Sequence, residues 1–291
     1  MMLASQRSIL YAAPGRLRAP WRLLVWFGAS AVFAIPALFA RTLLPATAEG
    51  APFDRMWESL ALTLAVLAGT WYALRRVDQL PWGEVWLDRD ASSPGRLVLG
   101  WMLGMVLIAV PSLLLVAVGW LRFVPMADDS SLALALTALL VLAPAAFLEE
   151  LIARGYVLHV LRGALGWWPA IVLTSAGFGL LHWWNPGATP FSLGLVTLAG
   201  IFLGVVVMVT RSLWAATLAH LAWNWTMAAL LHAPVSGLGL GFPDYRLVDA
   251  GPDWATGGSW GPEGGAGAAA GMIIGAAYLY ARRQRRREET Q

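Results

Sequence analysis

Three charged side chains, Glu149, Glu150 and Arg154, stand together in the otherwise apolar stretch 132–158. Ionisable groups are costly within hydrocarbon and mark functional sites by default. On a helix, Glu150 and Arg154 lie four residues apart on one face and can form a carboxylate–guanidinium pair. Glu149 lies about 140° around the helix from Arg154, so its carboxylate is less neutralised and is predicted to act as a general base facing a cavity. A buried cluster that only fixes helix packing is the alternative.

Two histidines and an asparagine lie in two further apolar stretches. His220 and Asn224 are four residues apart, so both project from one helical face, where imidazole and amide groups can donate to a developing oxyanion. A polar pair that only links helices is the alternative. His182 follows Phe178 by one helical turn, and Phe178 is expected to pack over the site. Taken alone, His182 has the features of an interior histidine and Phe178 those of a core residue.

The position of these residues along their helices predicts that they meet. Glu149 and His182 each lie about 16 residues from the turn at 163–166, so they should sit at similar depth. His220 lies nine residues after Arg211, which is roughly 13 Å along a helix. The three helices are therefore expected to bring their polar residues together in the cytoplasmic half of a membrane.

The elements that must hold these residues are transmembrane helices. The chain has 291 residues, of which 58% are hydrophobic and 13% charged, whereas soluble domains have about a quarter charged. Each apolar stretch approaches the length that crosses the hydrocarbon core of a bilayer. We therefore predict an all-α, polytopic membrane protein with about eight transmembrane helices. The predicted spans are roughly 23–44, 57–74, 97–120, 132–160, 167–184, 191–209, 212–232 and 266–281.

The distribution of arginine predicts the orientation. With the N-terminus cytoplasmic, 15 of the 20 basic residues fall on the inner side. Arg41, Arg55, Arg122 and Arg246 fall outside, and Arg154 lies in a span. The positive-inside rule favours this choice and places both termini in the cytoplasm. The predicted organisation is a cytoplasmic segment over 1–22, one transmembrane helical domain over 23–281 with a motif core at 130–232, and an Arg-rich cytoplasmic tail over 282–291.

Two loops and three glycine pairs carry further expectations. Residues 75–96 are predicted to form a helix on the inner surface. Residues 233–265 are predicted to be an outer loop that is disordered or re-entrant in preference to a lid. Small residues spaced by four allow close helix packing. The chain has three such glycine pairs in its apolar stretches: Gly100 with Gly104, Gly200 with Gly204, and Gly267 with Gly271.

Composition and motifs exclude several function classes. The chain has no cysteine, which excludes disulfides, thiolate catalysis and Cys-ligated zinc. It has no His-Glu-x-x-His zinc helix, and every aspartate lies in a predicted loop. Ser175 is a weak candidate for a rhomboid-like nucleophile. The pI near 9.7 reflects arginines beside membrane spans, so the expected partner is the bilayer and not nucleic acid.

The three motifs together resemble those of the CPBP intramembrane proteases. That family includes the type II CaaX prenyl endopeptidases and bacterial Abi-type, bacteriocin-processing relatives. The resemblance covers residues 149–224, in three motifs that occur in order and in separate spans: Glu149-Glu150-x-x-x-Arg154, Phe178-x-x-x-His182 and His220-x-x-x-Asn224. The family often has an aromatic residue before the motif arginine, where this chain has Ala153.

The resemblance implies a helical bundle around a water-accessible cavity that hydrolyses membrane-associated peptides or proteins. It implies that Glu149 and His182 activate a water, that His220 and Asn224 stabilise the oxyanion, and that Glu150 and Arg154 support the site. Phe178 belongs to the same motifs. Two histidines and a glutamate could also bind zinc and leave a position for water. Because Glu149 can serve as a base without a metal, we expect no cofactor, with zinc at Glu149, His182 and His220 as the alternative.

Two expectations concern biological setting. The absence of lysine, together with 17 tryptophans and abundant Ala and Gly, indicates a GC-rich bacterial genome, hence a bacterial cytoplasmic membrane. The main alternative function is a non-catalytic immunity or scaffold protein that binds a peptide or a partner membrane protein. The complete set of motif residues favours the enzyme, and the lack of an internal repeat weighs against a transporter.

Overall fold

The computed structural model describes residues 9–13, 16–42, 52–125, 132–239 and 245–288. The outer parts of the predicted N-terminal segment (1–8) and of the Arg-rich tail (289–291) therefore lie outside the described residues. The helices are α1 (Ala19–Thr42), α2 (Pro52–Tyr72), α3 (Pro94–Ala117), α4 (Leu132–Glu150), α5 (Val157–Leu165), α6 (Trp167–Leu181), α7 (Pro190–Thr210), α8 (Leu213–Trp225), α9 (Asp253–Thr256) and α10 (Ala266–Glu288). The strands are β1 (Tyr11–Ala13), β2 (Arg16–Leu17), β3 (Leu121–Pro125) and β4 (Tyr245–Asp249), paired as two small antiparallel sheets, β1 with β2 and β3 with β4.

The fold is an all-α, polytopic membrane protein, as predicted. Within the described residues, five helical segments are long and apolar enough to cross a membrane. They are Ala19–Ala40, Met56–Asp78, Pro94–Ala117, Ala135–Leu165 and Pro190–Thr210. The other three predicted spans are also helices. However, α6 and α8 have only 15 and 13 residues, fewer than the roughly 20 that span hydrocarbon, and α10 ends in a run of arginines.

Glycines set the close helix crossings, as their spacing predicts. A Cβ on Gly100 or Gly104 of α3 would overlap the backbone carbonyls of Ala215 and Ala219 in α8. Ala219 directly precedes His220, so this crossing fixes the height and rotation of α8 at the polar residues. In the same way, Gly200 and Gly204 of α7 meet α6, and Gly267 and Gly271 of α10 meet α3.

A widened helical turn follows the acidic pair. α4 continues into a π-helical turn, Leu151–Tyr156, before α5 begins. Gly155 within this turn has non-helical φ and ψ of −81° and −118°. π-Helical turns interrupt the regular ladder and are frequent at functional sites. Arg154 lies inside the turn and is fully buried.

The surface helix predicted for 75–96 is wrong, and the disorder predicted for 233–265 is not found in the described residues of that loop; its re-entrant alternative stays a prediction. Residues 75–96 do not form a surface helix: α2 runs on as a π-helical turn to Asp78, and a 3₁₀ turn covers Trp82–Val85. The reason is aromatic burial, because Trp86 is 5% exposed and packs against Trp167 at 5.5 Å between ring centroids. In the loop over 233–265, residues 233–239 and 245–265 are ordered, since β4 pairs with β3 and short helical turns cover 253–264.

Candidate active site

Glu149, His182 and His220 meet at one point in the bundle. The Glu149 Oε2 atom lies 3.9 Å from His182 Nε2 and 3.9 Å from His220 Nε2. These residues come from the last turn of α4, the end of α6 and the middle of α8. Both distances exceed hydrogen-bond length, so the carboxylate and the imidazoles do not bond directly, and polar groups more than about 3.5 Å apart can be joined through a water. Glu149 Oε2 is also buried without a hydrogen-bond partner in the described part of the chain.

The orientation of His182 follows from the end of α6. The last carbonyl groups of a helix have no partner from the next turn. His182 Nδ1 lies 2.8 Å from the Phe178 carbonyl oxygen and donates to it, because a carbonyl can only accept. The lone pair of the neutral imidazole therefore sits on Nε2, the atom that faces Glu149.

His220 is held by the second glutamate. Its Nδ1 lies 3.0 Å from Glu150 Oε1 and donates to that carboxylate. Arg154 Nη1 donates to the same Glu150 oxygen at 2.8 Å. The Glu150 and Arg154 side chains are both 0% exposed, whereas that of Glu149 is 37% exposed. The two adjacent glutamates thus have different environments: Glu150 is enclosed by Arg154 and His220, whereas Glu149 is open to a cleft.

Phe178 lies between the arginine and the histidines. The Arg154 guanidinium carbon is 4.3 Å from the centre of the Phe178 ring, an arrangement in which the ring face attracts the cation. The same ring lies 4.8 Å from the His182 ring and 6.0 Å from the His220 ring. Phe178 is 4% exposed, so it shields the buried charges while it fixes both imidazoles.

A cleft of about 290 Å³ gives access to these groups. Its walls are formed by α2, α4 and the turn at residues 235–238, and Glu149, His182, His220 and Asn224 line it. The α4 wall is apolar, with Val141, Leu142 and Ala145. Among the described residues, the Asn224 amide has no hydrogen-bond partner, so its donors are available to a molecule in the cleft.

A smaller apolar pocket lies behind the two histidines. Its volume is about 40 Å³, and Leu195, Ala199, Phe202, Leu203 and Met272 form its apolar walls. The same pocket is lined by Phe178, His182 and His220, so apolar space adjoins the polar cluster.

Residues 233–239 and 245–264 form a cap over one end of the site. Glu263 holds this cap, because its Oε1 accepts from the backbone N–H of Ser236 at 2.6 Å and from the Ser236 hydroxyl at 2.7 Å. Its Oε2 accepts from Trp223 Nε1 at 3.0 Å. The Asn185 amide donates to the Ser236 carbonyl at 3.0 Å. The cap is therefore tied to α8 and to the segment that follows His182.

Sequence reasoning missed Ser236, Glu263 and Asn185, because their contacts join residues far apart in the chain. The loop over 233–265 has four acidic residues, Asp244, Asp249, Asp253 and Glu263, and the sequence alone does not distinguish Glu263 among them. Trp260 in the same loop shares a buried cluster with Ala153, Phe178 and Val196. The cluster thus includes Ala153, the position where the resemblance leads one to expect an aromatic residue.

Replacing Glu263 with Ala is expected to loosen the cap. Hydrogen bonds to charged groups contribute about 1.5–3 kcal/mol, so exchange of the Ser236 amide should accelerate by about 10- to 100-fold. Hydrogen–deuterium exchange of a peptide covering 233–239 measures this effect. Glu58→Ala removes another carboxylate that lines the cleft and should leave exchange in the cap unchanged. Equal exchange in the Glu263→Ala and wild-type proteins would contradict the assigned role.

Ser175 does not join the cluster. Its side chain packs against Gly200 at the crossing of α6 and α7, and its Oγ is buried without a hydrogen-bond partner in the described residues. No histidine is within hydrogen-bond distance of it there. Ser175 is therefore a packing residue and not an activated nucleophile.

The donor set has the chemistry of a zinc site. Both Nε2 atoms and Glu149 Oε2 face one point, and each Nδ1 is held by a second partner, as is usual for metal-binding histidines. Nevertheless, no group of three His, Cys, Asp or Glu side chains within the described ranges has an arrangement suited to a metal ion.

The comparisons with known proteins cover the segment that carries the site. Residues 131–226 match the family model described as type II CAAX prenyl endopeptidase Rce1-like. This match confirms the resemblance over a third of the chain and includes every motif residue from Glu149 to Asn224. No curated protein and no solved structure gives a match.

Proposed function

We propose that this chain, whose site-bearing segment matches the type II CAAX prenyl endopeptidase family, is an intramembrane endopeptidase that hydrolyses a peptide bond of a membrane-associated peptide or protein. The observation that carries the proposal is the position of Glu149 Oε2, unpartnered and equidistant from two imidazole nitrogens. This arrangement suits a water molecule held for attack on a carbonyl carbon.

Glu149 and His182 activate the water in this proposal. The water donates one proton toward the Glu149 carboxylate and the other toward the Nε2 lone pair of His182. As the water oxygen bonds to the carbonyl carbon, Glu149 takes up a proton and the carbonyl becomes a tetrahedral oxyanion. The proton then passes to the leaving nitrogen as the C–N bond breaks, giving a carboxylic acid and an amine.

His220 and Asn224 stabilise the oxyanion. Because His220 Nδ1 donates to Glu150, its Nε2 can donate only when the ring is protonated. The Glu150 carboxylate stabilises that imidazolium. The Asn224 amide supplies a second, neutral donor from the next turn of α8. Fixed donors in a water-poor site act most strongly on charge that develops in the transition state.

The charges of the cluster balance in this state. Glu149 and Glu150 contribute two negative charges, while Arg154 and protonated His220 contribute two positive charges. A balanced cluster lowers the cost of holding ions away from water. When Glu149 takes up a proton, the cluster has one positive charge in excess, which the oxyanion formed in the same step balances.

The walls of the cleft indicate the class of substrate. One wall is the apolar face of α4, so an apolar, membrane-embedded segment can lie along it and present its backbone to Glu149. With the orientation predicted from arginine, both termini face the cytoplasm. A bacterial source would make small membrane peptides, such as bacteriocin precursors or peptide pheromones, the expected substrates.

The reaction is proposed to proceed without a metal. Treating the purified protein with EDTA or 1,10-phenanthroline should leave cleavage of a fluorogenic membrane peptide within about twofold of the untreated rate, since Glu149 supplies the base. The measurement is an initial rate before and after removal of the chelator. Inhibition that added zinc reverses would show instead that Glu149, His182 and His220 hold the metal.

Comparison of membrane peptides in cells tests the proposed activity. Cells that lack the gene receive either the wild-type protein or the Glu149→Gln variant at equal levels, and their peptides are compared by mass spectrometry. The proposal predicts a peptide that is shortened with the wild-type protein and intact with the variant. Identical peptides in the two strains, with the wild-type phenotype retained, would favour a non-catalytic scaffold.

A further inference from the structure

A large cavity opens at the end of α10 opposite the cap. Its volume is about 740 Å³, and it lies between the start of α3, the end of α7 and the second half of α10. Four arginines line it, and they are Arg96, Arg211, Arg282 and Arg283. In the described residues its lining includes no acidic side chain. The cavity therefore concentrates positive charge on the face that the sequence predicts to be cytoplasmic.

Local contacts fix the side chains of two of these arginines. Arg211 ends α7 in the left-handed conformation, with φ of 53°, and its guanidinium lies 4.5 Å from the Trp167 ring centre. Arg96 donates from Nη1 to the carbonyl and to the carboxylate of Asp90, both at 2.8 Å. Asp90 lies outside the cavity lining and its side chain is 76% exposed. Stacking and pairing of this kind hold the arginine side chains in place, so less side-chain entropy is lost when an anion binds.

The other wall of the cavity is apolar and opens toward the bilayer. Val98 and Met102 on α3 are 62% and 43% exposed, while Leu279 on α10 is fully buried. Leu99 and Val209 complete this wall. A ligand in this cavity thus meets guanidinium groups at one end and hydrocarbon along its side.

We propose that this cavity binds the phosphate headgroup of an anionic phospholipid, with an acyl chain along Val98 and Met102. Arginine binds phosphate oxygens through two parallel hydrogen bonds. Basic pockets between transmembrane helices on the cytoplasmic side are suited to anionic headgroups. Since none of the four arginines belongs to the candidate active site, this inference is independent of the proposed proteolysis.

Native mass spectrometry of the purified full-length protein in detergent tests the proposal. The probes are phosphatidylglycerol and phosphatidylcholine with identical acyl chains, offered in equal amounts, and inorganic phosphate as a separate competitor. The wild-type protein should retain phosphatidylglycerol in preference to phosphatidylcholine, and inorganic phosphate should not displace it. Equal retention of the two lipids, or displacement by phosphate at the lipid concentration, would overturn the proposal.

Paired variants separate this cavity from general surface charge. Arg282→Gln with Arg283→Gln should lower the preference for phosphatidylglycerol at least about fivefold, given the contribution of each basic residue near an anionic headgroup. Arg282→Lys with Arg283→Lys keeps the charge and should retain most of the preference. Arg75→Gln with Arg76→Gln removes two exposed arginines from the same predicted membrane face and should leave the preference for phosphatidylglycerol unchanged. An equal loss in the two Gln pairs would contradict a defined site.

Discussion

Replacing Glu149 with Gln is expected to lower peptide cleavage at least about a hundredfold, because general base catalysis contributes about 10²- to 10⁴-fold. The substitution keeps the size of the side chain and removes its negative charge and its ability to accept a proton. The measurement is the initial rate of cleavage of a fluorogenic membrane peptide by the purified, reconstituted protein. Since the Glu149 side chain is 37% exposed and has no partner at Oε2, folding should be unaffected.

Two control variants make this result specific. Glu58→Gln changes an exposed carboxylate at the same cleft. It should leave the rate within about threefold of wild type, because Glu58 is not the group positioned to transfer a proton in the proposed reaction. His182→Ala removes the second group that holds the water and should abolish cleavage as Glu149→Gln does. Cleavage by the Glu149→Gln protein at the wild-type rate would show that the proposed base is wrong.

Replacing Arg154 with Met is expected to destabilise the protein by about 3–5 kcal/mol, because it leaves a buried carboxylate without its cation. Both members of the Arg154–Glu150 pair are fully buried, and Arg154 also stacks on Phe178. Unfolding by denaturant in detergent micelles, followed by circular dichroism, measures the change in the free energy of unfolding.

A double-substitution cycle tests the reason for this loss. Arg154→Met with Glu150→Leu removes both charges, so most of the lost stability should return although the candidate active site is altered. The exposed pair Arg96–Asp90 provides the comparison, and Asp90→Asn should cost no more than about 1 kcal/mol. If the double variant is less stable than Arg154→Met alone, charge burial is not the cause.

Spacing along single helices predicted much of this site, because i and i+4 residues share a face whatever the rest of the fold does. The pairing of Glu150 with Arg154 and the presence of His220 and Asn224 on the cleft side of α8 are of this kind. Equal distance from the hairpin turn also predicted that Glu149 and His182 would lie at the same depth. The small-residue spacing of Gly100 and Gly104 predicted close packing for a similar local reason.

The remainder depends on contacts between distant segments. The bond from His220 Nδ1 to Glu150 requires the relative rotation of α4 and α8, which the spacing within either helix does not determine. The hold of Glu263 on Ser236 requires a folded cap, and the composition of residues 233–265 indicated disorder. Burial of Trp86 likewise depends on Trp167, which belongs to another helix. These contacts depend on how distant helices and loops pack against one another, which the spacing of residues within one helix does not predict.

Mass spectrometry of products formed in ¹⁸O-labelled water tests the central claim most directly. The substrate is a membrane peptide whose intact form accumulates in cells that carry the Glu149→Gln variant, presented to the purified protein in vesicles. The account predicts two fragments from the wild-type protein, with one ¹⁸O atom in the newly formed carboxyl group, and no fragments from Glu149→Gln. An intact peptide with the wild-type protein, or equal fragments from both proteins, would contradict it.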